Sequence, residues 1–154
     1  MTIDLRRILL VEDNLHDVEL MLEALEQHNF VNSVDVARDG EEALDYLYRR
    51  GKFGSRAPGN PVVILLDIKL PKIDGHEVLR TIKADEQLKF IPVVVLTSSR
   101  EEQDLEQGYK NGANAYVVKP VDFHDFVEAM RTMGLFWAVL NETPVGGRRP
   151  GGRA

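Results

Sequence analysis

The chain has 154 residues, 44% of them hydrophobic and 29% charged, which is enough for one domain with a buried core. A net charge of −6 argues against a nucleic-acid-binding face and against attraction to an anionic membrane. The absence of cysteine excludes disulfides, thiolate metal sites and cysteine nucleophiles.

Arg6 and Arg7 precede the apolar run Ile8 to Val11, which meets Glu12 and Asp13 too early for a signal peptide. No apolar run reaches transmembrane length, so a cytoplasmic protein is expected. Ile8 to Val11 reads as a buried parallel strand. Val18, Met21, Leu22 and Leu25 then fall on one face of a first helix, with Glu19, Glu23 and Glu26 outward. Val34 to Ala37 is a second strand, Asp39-Gly40 marks a turn, and Ala43, Leu44 and Leu47 carry a second helix. Residues 49–60, RRGKFGSRAPGN, read as a long exposed loop. Val62 to Asp67 is the third strand, Gly75 to about Leu88 the third helix, and Pro92 to Leu96 the fourth strand. A more polar helix from Glu101 to Asn111 ends at Gly112. Ala115 to Val118 is the fifth strand, and Asp122 caps a last helix running to about Leu140. Five strands alternating with five helices predict an α/β fold, a parallel sheet with helices on both faces. The expected domain spans residues 1–141, and the Gly/Pro/Arg-rich residues 142–154 are expected to be a disordered tail.

The strand ends carry the strongest signal. Glu12 and Asp13 follow the first strand, Asp67 ends the third, Thr97 follows the fourth, and Lys119-Pro120 follows the fifth. Open α/β sheets bind ligands outside the carboxyl ends of their strands. Three carboxylates gathered there repel one another unless a cation offsets them. All-oxygen ligation without cysteine favours Mg²⁺ or a similar hard ion. Lys119 adds a point charge for an anion, and Thr97 adds a hydroxyl donor. The set suits phosphoryl transfer to a carboxylate, with an aspartyl-phosphate product. Taken singly, each residue has a plainer reading. Asp67 alone caps a turn, Asp13 or Asn14 caps the first helix, and Asp74 caps the third. His16, His28, His76 and His124 are assigned surface or structural roles.

In order and at the right strand ends, LLVEDN, LLDIKLPKIDG, VVVLTSS and AYVVKP resemble the receiver domain of two-component response regulators over roughly residues 6–140. The resemblance implies a flavodoxin-like, doubly wound sheet of strand order 2-1-3-4-5. It implies Asp67 as phosphoacceptor, with Mg²⁺ (or Mn²⁺) bound by Asp13 and Asp67, by Glu12 through water, and by the Lys69 backbone carbonyl. Lys119 and Thr97 would contact the phosphoryl group, Thr97 and Tyr116 would form the switch pair, and Lys119-Pro120 would be a cis peptide. Such a domain promotes its own phosphotransfer and autodephosphorylation without being a conventional enzyme.

The sequence departs from the family pattern twice. Glu12 stands where Asp is common, and Lys69 stands where Asn or Met is common. The Lys69 side chain is expected to reach the phosphoryl group and change its lifetime, which comparison of wild type with Lys69→Ala tests. The loop at 49–61 and the FWAVLNETP ending resemble stand-alone regulators paired with phytochrome histidine kinases. The implied partners are a sensor histidine kinase, expected to be of phytochrome type, an unknown downstream protein, and a second copy of the chain. A dimer or partner contact is placed on Phe136, Trp137 and Leu140, because exposed apolar patches mark contacts; the plainer reading is that this extension folds back and caps the domain's own core. The rivals are a phosphorylation-independent interaction module and an aspartate-based phosphohydrolase. The hydrolase pattern needs an acid at position 69, where Lys69 stands. A nucleotide-binding module would need a Gly-rich turn that Gly40, Gly75 and Gly112 do not form.

Overall fold

The central strand segments, Ile8 to Val11, Val62 to Leu66 and Val93 to Leu96, are apolar throughout because the sheet is covered on both faces there. The computed structural model describes residues 3–27, 33–98, 109–119, 121 and 123–134. Five parallel strands, β1 (Ile3–Val11), β2 (Ser33–Ala37), β3 (Asn60–Asp67), β4 (Val93–Thr97) and β5 (Ala115–Val118), lie in the order β2-β1-β3-β4-β5. The helices are α1 (Leu15–Gln27), α2 (Gly40–Tyr48), α3 (Gly75–Ala84) and α4 (Phe123–Thr132). The expected flavodoxin-like fold and strand order are therefore present. Of the helix expected at 101–111, only residues 109–111 are described; Tyr109 and Lys110 are helical, and the chain leaves them through a turn with Gly112 at φ 101°.

Side chains alternate across the sheet with period two. Leu9, Val11, Ile64, Leu66, Val93 and Val95 meet Ala43 and Leu47 of α2 and Val78, Leu79 and Ile82 of α3. Ile8, Leu10, Val63, Leu65, Val94 and Leu96 meet Val18, Met21 and Leu25 of α1 and Phe126 and Met130 of α4. The strand order reverses between β1 and β3, whose register pairs Val11 with Leu66. The next residues along, Glu12 and Asp67, are thereby brought side by side at the switch point.

Several boundaries differ from the sequence reading. β1 starts at Ile3, with an irregularity between Asp4 and Ile8 where the polar stretch interrupts the ladder. Asp39-Gly40 is not a free turn. Asp39 caps α2 by accepting from the Glu42 N–H at 2.8 Å, and Gly40 is the first helical residue. α3 stops at Ala84, because the Asp85 carboxylate accepts from the Gln87 and Leu88 N–H groups and folds the chain into a turn. The loop at 49–60 is anchored rather than simply exposed. It contains a short 3₁₀ turn, Gly51–Phe53, and the half-buried Arg56 lies 4.1 Å over the ring of buried Tyr46.

Candidate functional site

Backbone ladders fix the strand ends that carry the polar residues. The Glu12 N–H donates to the Ala37 carbonyl at 3.0 Å, the Ile68 N–H to Leu96 at 3.2 Å, and the Lys119 N–H to Thr97 at 2.7 Å. These bonds prolong the pairing past the last strand residues and leave little freedom in where the side chains emerge. α3 then closes against the β3 end. The Gly75 N–H donates to the Ile68 carbonyl at 3.0 Å, and a Cβ at Gly75 would lie 2.5 Å from the Asp67 carbonyl oxygen. Only glycine permits that approach.

Three of the predicted residues meet directly. The Lys119 ammonium donates to Glu12 Oε1 at 2.9 Å and to Asp67 Oδ2 at 3.3 Å. Glu12 is 2% exposed and Asp67 is 5% exposed, so these are charges taken largely out of water. The second oxygens are also held. Asn14 N–H donates to Glu12 Oε2 at 3.2 Å, and Lys69 N–H donates to Asp67 Oδ1 at 3.2 Å. Asp13 is exposed at the rim, and oxygens of Glu12, Asp13 and Asp67 lie within 4.8 Å of one another. Asp13, Asp17, Asp67 and Lys119 face an open cleft bordered by His16 and Ser98.

Burial pushes the Glu12 carboxyl up to about 7; the Lys119 hydrogen bond opposes that rise, and the Asp67 carboxylate adds to it. For Lys119, burial alone favours the neutral amine. The Glu12 hydrogen bond, the Asp67 charge and the Asp17 hydrogen bond outweigh burial and hold its pKa above the ordinary lysine value. The site therefore carries an excess of negative charge around one ammonium. An all-oxygen donor set with crowded carboxylates and an open rim fits a hard divalent cation.

Thr97 is 1% exposed at the end of β4. Alternation places it on the same sheet face as Val95, where half-buried Tyr116 packs; the Tyr116 ring lies 4.7 Å from that of Tyr109. The Lys69 side chain is exposed. Asp74 caps α3 by accepting from the His76 N–H at 2.8 Å, and Asn14 caps α1 by accepting from the Asp17 N–H at 3.0 Å. His16 and His124 are exposed, and half-buried His76 lies 3.4 Å from the Asn111 amide. Pro120, Asp122, His28, Phe136, Trp137 and Leu140 lie outside the described residues, as do the cis peptide, the helix extension and the tail.

The structure adds one residue that the sequence reading does not single out. Asp17, in the first turn of α1, accepts from the Lys119 ammonium at 3.1 Å. Its signal in the sequence is its place one helical turn after Asp13, at a helix start that points back towards the strand ends.

The family model of the response regulator receiver domain matches residues 8–131. The probable methanogenesis regulatory protein FilR2 of Methanothrix harundinacea is 44% identical over 137 residues, 89% of this chain and 86% of that one. The response regulator Rcp1 of Synechocystis sp. is 39% identical over 130 residues, 84% of this chain and 87% of that one. Its Mn²⁺-bound crystal structure superposes with a TM-score of 0.71 at 38% identity, over 86% of this chain and 94% of that one. The structure of the bacteriophytochrome response regulator AtBRR gives a TM-score of 0.82 at 59% identity, over 90% of this chain and 99% of that one.

Proposed function

The chain belongs to the response regulator receiver domain family, and from that premise we propose that it accepts a phosphoryl group on Asp67 from the phosphohistidine of a sensor histidine kinase. One observation carries the reading: the buried Asp67 carboxylate stands at the switch point with the Lys119 ammonium 3.3 Å away and Glu12 and Asp13 beside it. In the transfer, an Asp67 oxygen attacks phosphorus. The P–N bond to the donor histidine breaks, its electron pair returns to the imidazole, and a P–O bond forms.

Asp13 and Asp67, Glu12 through water, and the Lys69 carbonyl would hold Mg²⁺ or Mn²⁺, which supplies charge neutralisation for the incoming phosphoryl oxygens. The Mn²⁺-bound state of Rcp1 supports that assignment. Lys119 neutralises the anion from the other side, and its place between two buried acids keeps it protonated for that task. The phosphoryl group adds nearly two negative charges. Thr97 turns towards it, Tyr116 packs inward, and the population of the face beside β5 shifts. Hydrolysis of the aspartyl phosphate then resets the domain.

The kinase is read as phytochrome-type, on the 59% identity to a bacteriophytochrome response regulator. Output passes to another protein, and the region of Phe136, Trp137 and Leu140 is read as the contact between two copies. Cytoplasmic placement belongs to the same reading. Acetyl phosphate with Mg²⁺, followed by intact mass, tests the central step on wild type and Asp67→Asn. Wild type gains one phosphoryl mass and the variant gains none; a gain in neither or in both rejects Asp67 as acceptor. An autophosphorylated bacteriophytochrome supplied as donor tests the pairing. Transfer no faster than from an unrelated histidine kinase removes it.

A further inference from the structure

We propose that Asp17 is a positioning residue for phosphoryl transfer, clamping the Lys119 ammonium so that its remaining N–H points at Asp67; this rests on the reading of Asp67 as phosphoacceptor. An ammonium has three N–H donors. Here three carboxylates from three elements take them: Glu12 at 2.9 Å, Asp17 at 3.1 Å and Asp67 at 3.3 Å. Glu12 is fixed by burial at the end of β1. Asp17 is fixed by α1, whose start is capped by Asn14 and whose Val18, Met21 and Leu25 are packed on the sheet. With two donors tied to fixed oxygens, the direction of the third is determined. It meets the longest contact of the three, at the oxygen where a phosphoryl group would arrive.

Packing alone does not hold the amine there. Beneath Lys119 and Asp17 lies a cavity of about 210 Å³, lined on its apolar side by Leu10, Leu20, Met21, Leu96 and Val121. A lysine stem beside free volume keeps alternative rotamers. The ion pairs are what select one of them. Asp17 touches neither Asp67 nor Asp13 in any described hydrogen bond, so its effect on the reaction passes through Lys119.

The sign of the effect separates positioning from simple charge. Deleting an anion near the cleft eases the approach of an anionic phosphodonor and speeds the reaction. Loss of positioning slows it. The test measures phosphorylation by acetyl phosphate at saturating Mg²⁺ in wild type, Asp17→Ala, the near-isosteric Asp17→Asn, Lys119→Ala, and Asp17→Ala combined with Lys119→Ala. The expected result is a fall of roughly fivefold in Asp17→Ala, a smaller fall in Asp17→Asn, and no further fall when Lys119 is already alanine. Mg²⁺ affinity stays unchanged. A rate equal to or above wild type in Asp17→Ala, or the same fall in the Lys119→Ala background, overturns the proposal. The ¹H–¹⁵N signal of the Lys119 ammonium gives a second readout that needs no phosphorylation. It is expected to be ordered in wild type and broadened by Asp17→Ala; an unchanged signal also overturns the proposal. If wild type gains no phosphoryl mass, the phosphoacceptor reading fails, and this signal alone decides whether Asp17 orients the amine.

Discussion

Lys119 and Glu12, 107 positions apart in sequence, are joined by a 2.9 Å hydrogen bond between ammonium and carboxylate at the edge of the sheet. The same ammonium serves Asp17 and Asp67, so three acids depend on one cation. A site built this way is strained electrostatically when no further cation is bound. Asp67→Asn is expected to raise the stability of the metal-free protein by about 1 kcal/mol, because it deletes the Glu12–Asp67 repulsion. The midpoint of thermal unfolding then rises by about 2–4 °C, and saturating Mg²⁺ reverses the order of the two proteins. Lys119→Met has the opposite sign. It leaves buried carboxylates without their counter-charge and costs about 3 kcal/mol. A metal-free Asp67→Asn protein that melts below wild type contradicts this account.

The pH dependence follows from Glu12, whose carboxyl is raised from 4.5 to about 7, first by burial. Between those values the folded state holds a proton that the unfolded chain has released, so the metal-free fold loses stability as pH rises through this window. A divalent cation needs the ionised acid. Mg²⁺ affinity is therefore expected to rise from pH 5.5 to pH 7.5, by at most about tenfold per pH unit, and to level off above. Calorimetric titration at several pH values reads this directly. Glu12→Gln flattens the profile; a variant profile as steep as wild type assigns the proton to another group.

What the sequence made legible is what double-sided burial forces upon it. Runs such as Val62 to Leu66 must be apolar throughout, so the first polar residue after each run marks a strand end, and Glu12, Asp67, Thr97 and Lys119 stood out for that reason. The amphipathic face of α1 was equally plain, since Val18, Met21 and Leu25 are buried as their spacing requires. Strand order was not legible from the residues alone and came with the family resemblance. Asp17 escaped because an acid in the first turn of a helix is ordinarily solvated; only the long side chain of Lys119, reaching over from just past the end of β5, gives it a partner. Arg56 escaped because a basic residue among glycines and prolines reads as exposed, whereas its partners are carbonyl groups and a ring that only the fold assembles.

Gly75 ties the site to the framework through its lack of a side chain. A Cβ there would sit 2.5 Å from the Asp67 carbonyl oxygen, 2.6 Å from Ile68 Cα and 2.7 Å from the Ile68 carbonyl oxygen. All three are backbone atoms, so relief requires α3 to back away from the β3 end. Gly75→Ala is expected to cost about 2 kcal/mol or more and to slow phosphorylation of Asp67 by displacing its backbone. Denaturant unfolding gives the first quantity and acetyl-phosphate kinetics the second. A fully stable, fully active Gly75→Ala protein would show that α3 yields freely.

Arg56 supplies the last expectation, at the opposite side of α2 from the site. Its guanidinium stacks over Tyr46 and donates to the carbonyls of Tyr46, Ala57 and Gly59, at 2.7–3.0 Å. Tyr46 in turn donates from its hydroxyl to Asp35, which also binds Arg7 at 2.9 Å. The planar fork thus links the 49–60 loop to α2, and α2 to the β1–β2 edge. Arg56→Ala removes several hydrogen bonds to partly buried carbonyls and uncovers the Tyr46 ring, at an expected cost of about 2 kcal/mol. Arg56→Lys recovers little, because one ammonium cannot span carbonyls on both sides of the loop while stacking on the ring. Limited proteolysis reads the local consequence: cleavage between residues 49 and 60 is expected to accelerate in both variants, whereas phosphorylation of Asp67, on another edge of the molecule, keeps its wild-type rate. Cleavage at the wild-type rate in Arg56→Ala would mean that the 3₁₀ turn at Gly51–Phe53 and the packing of Phe53 against Tyr46 anchor the loop without the arginine.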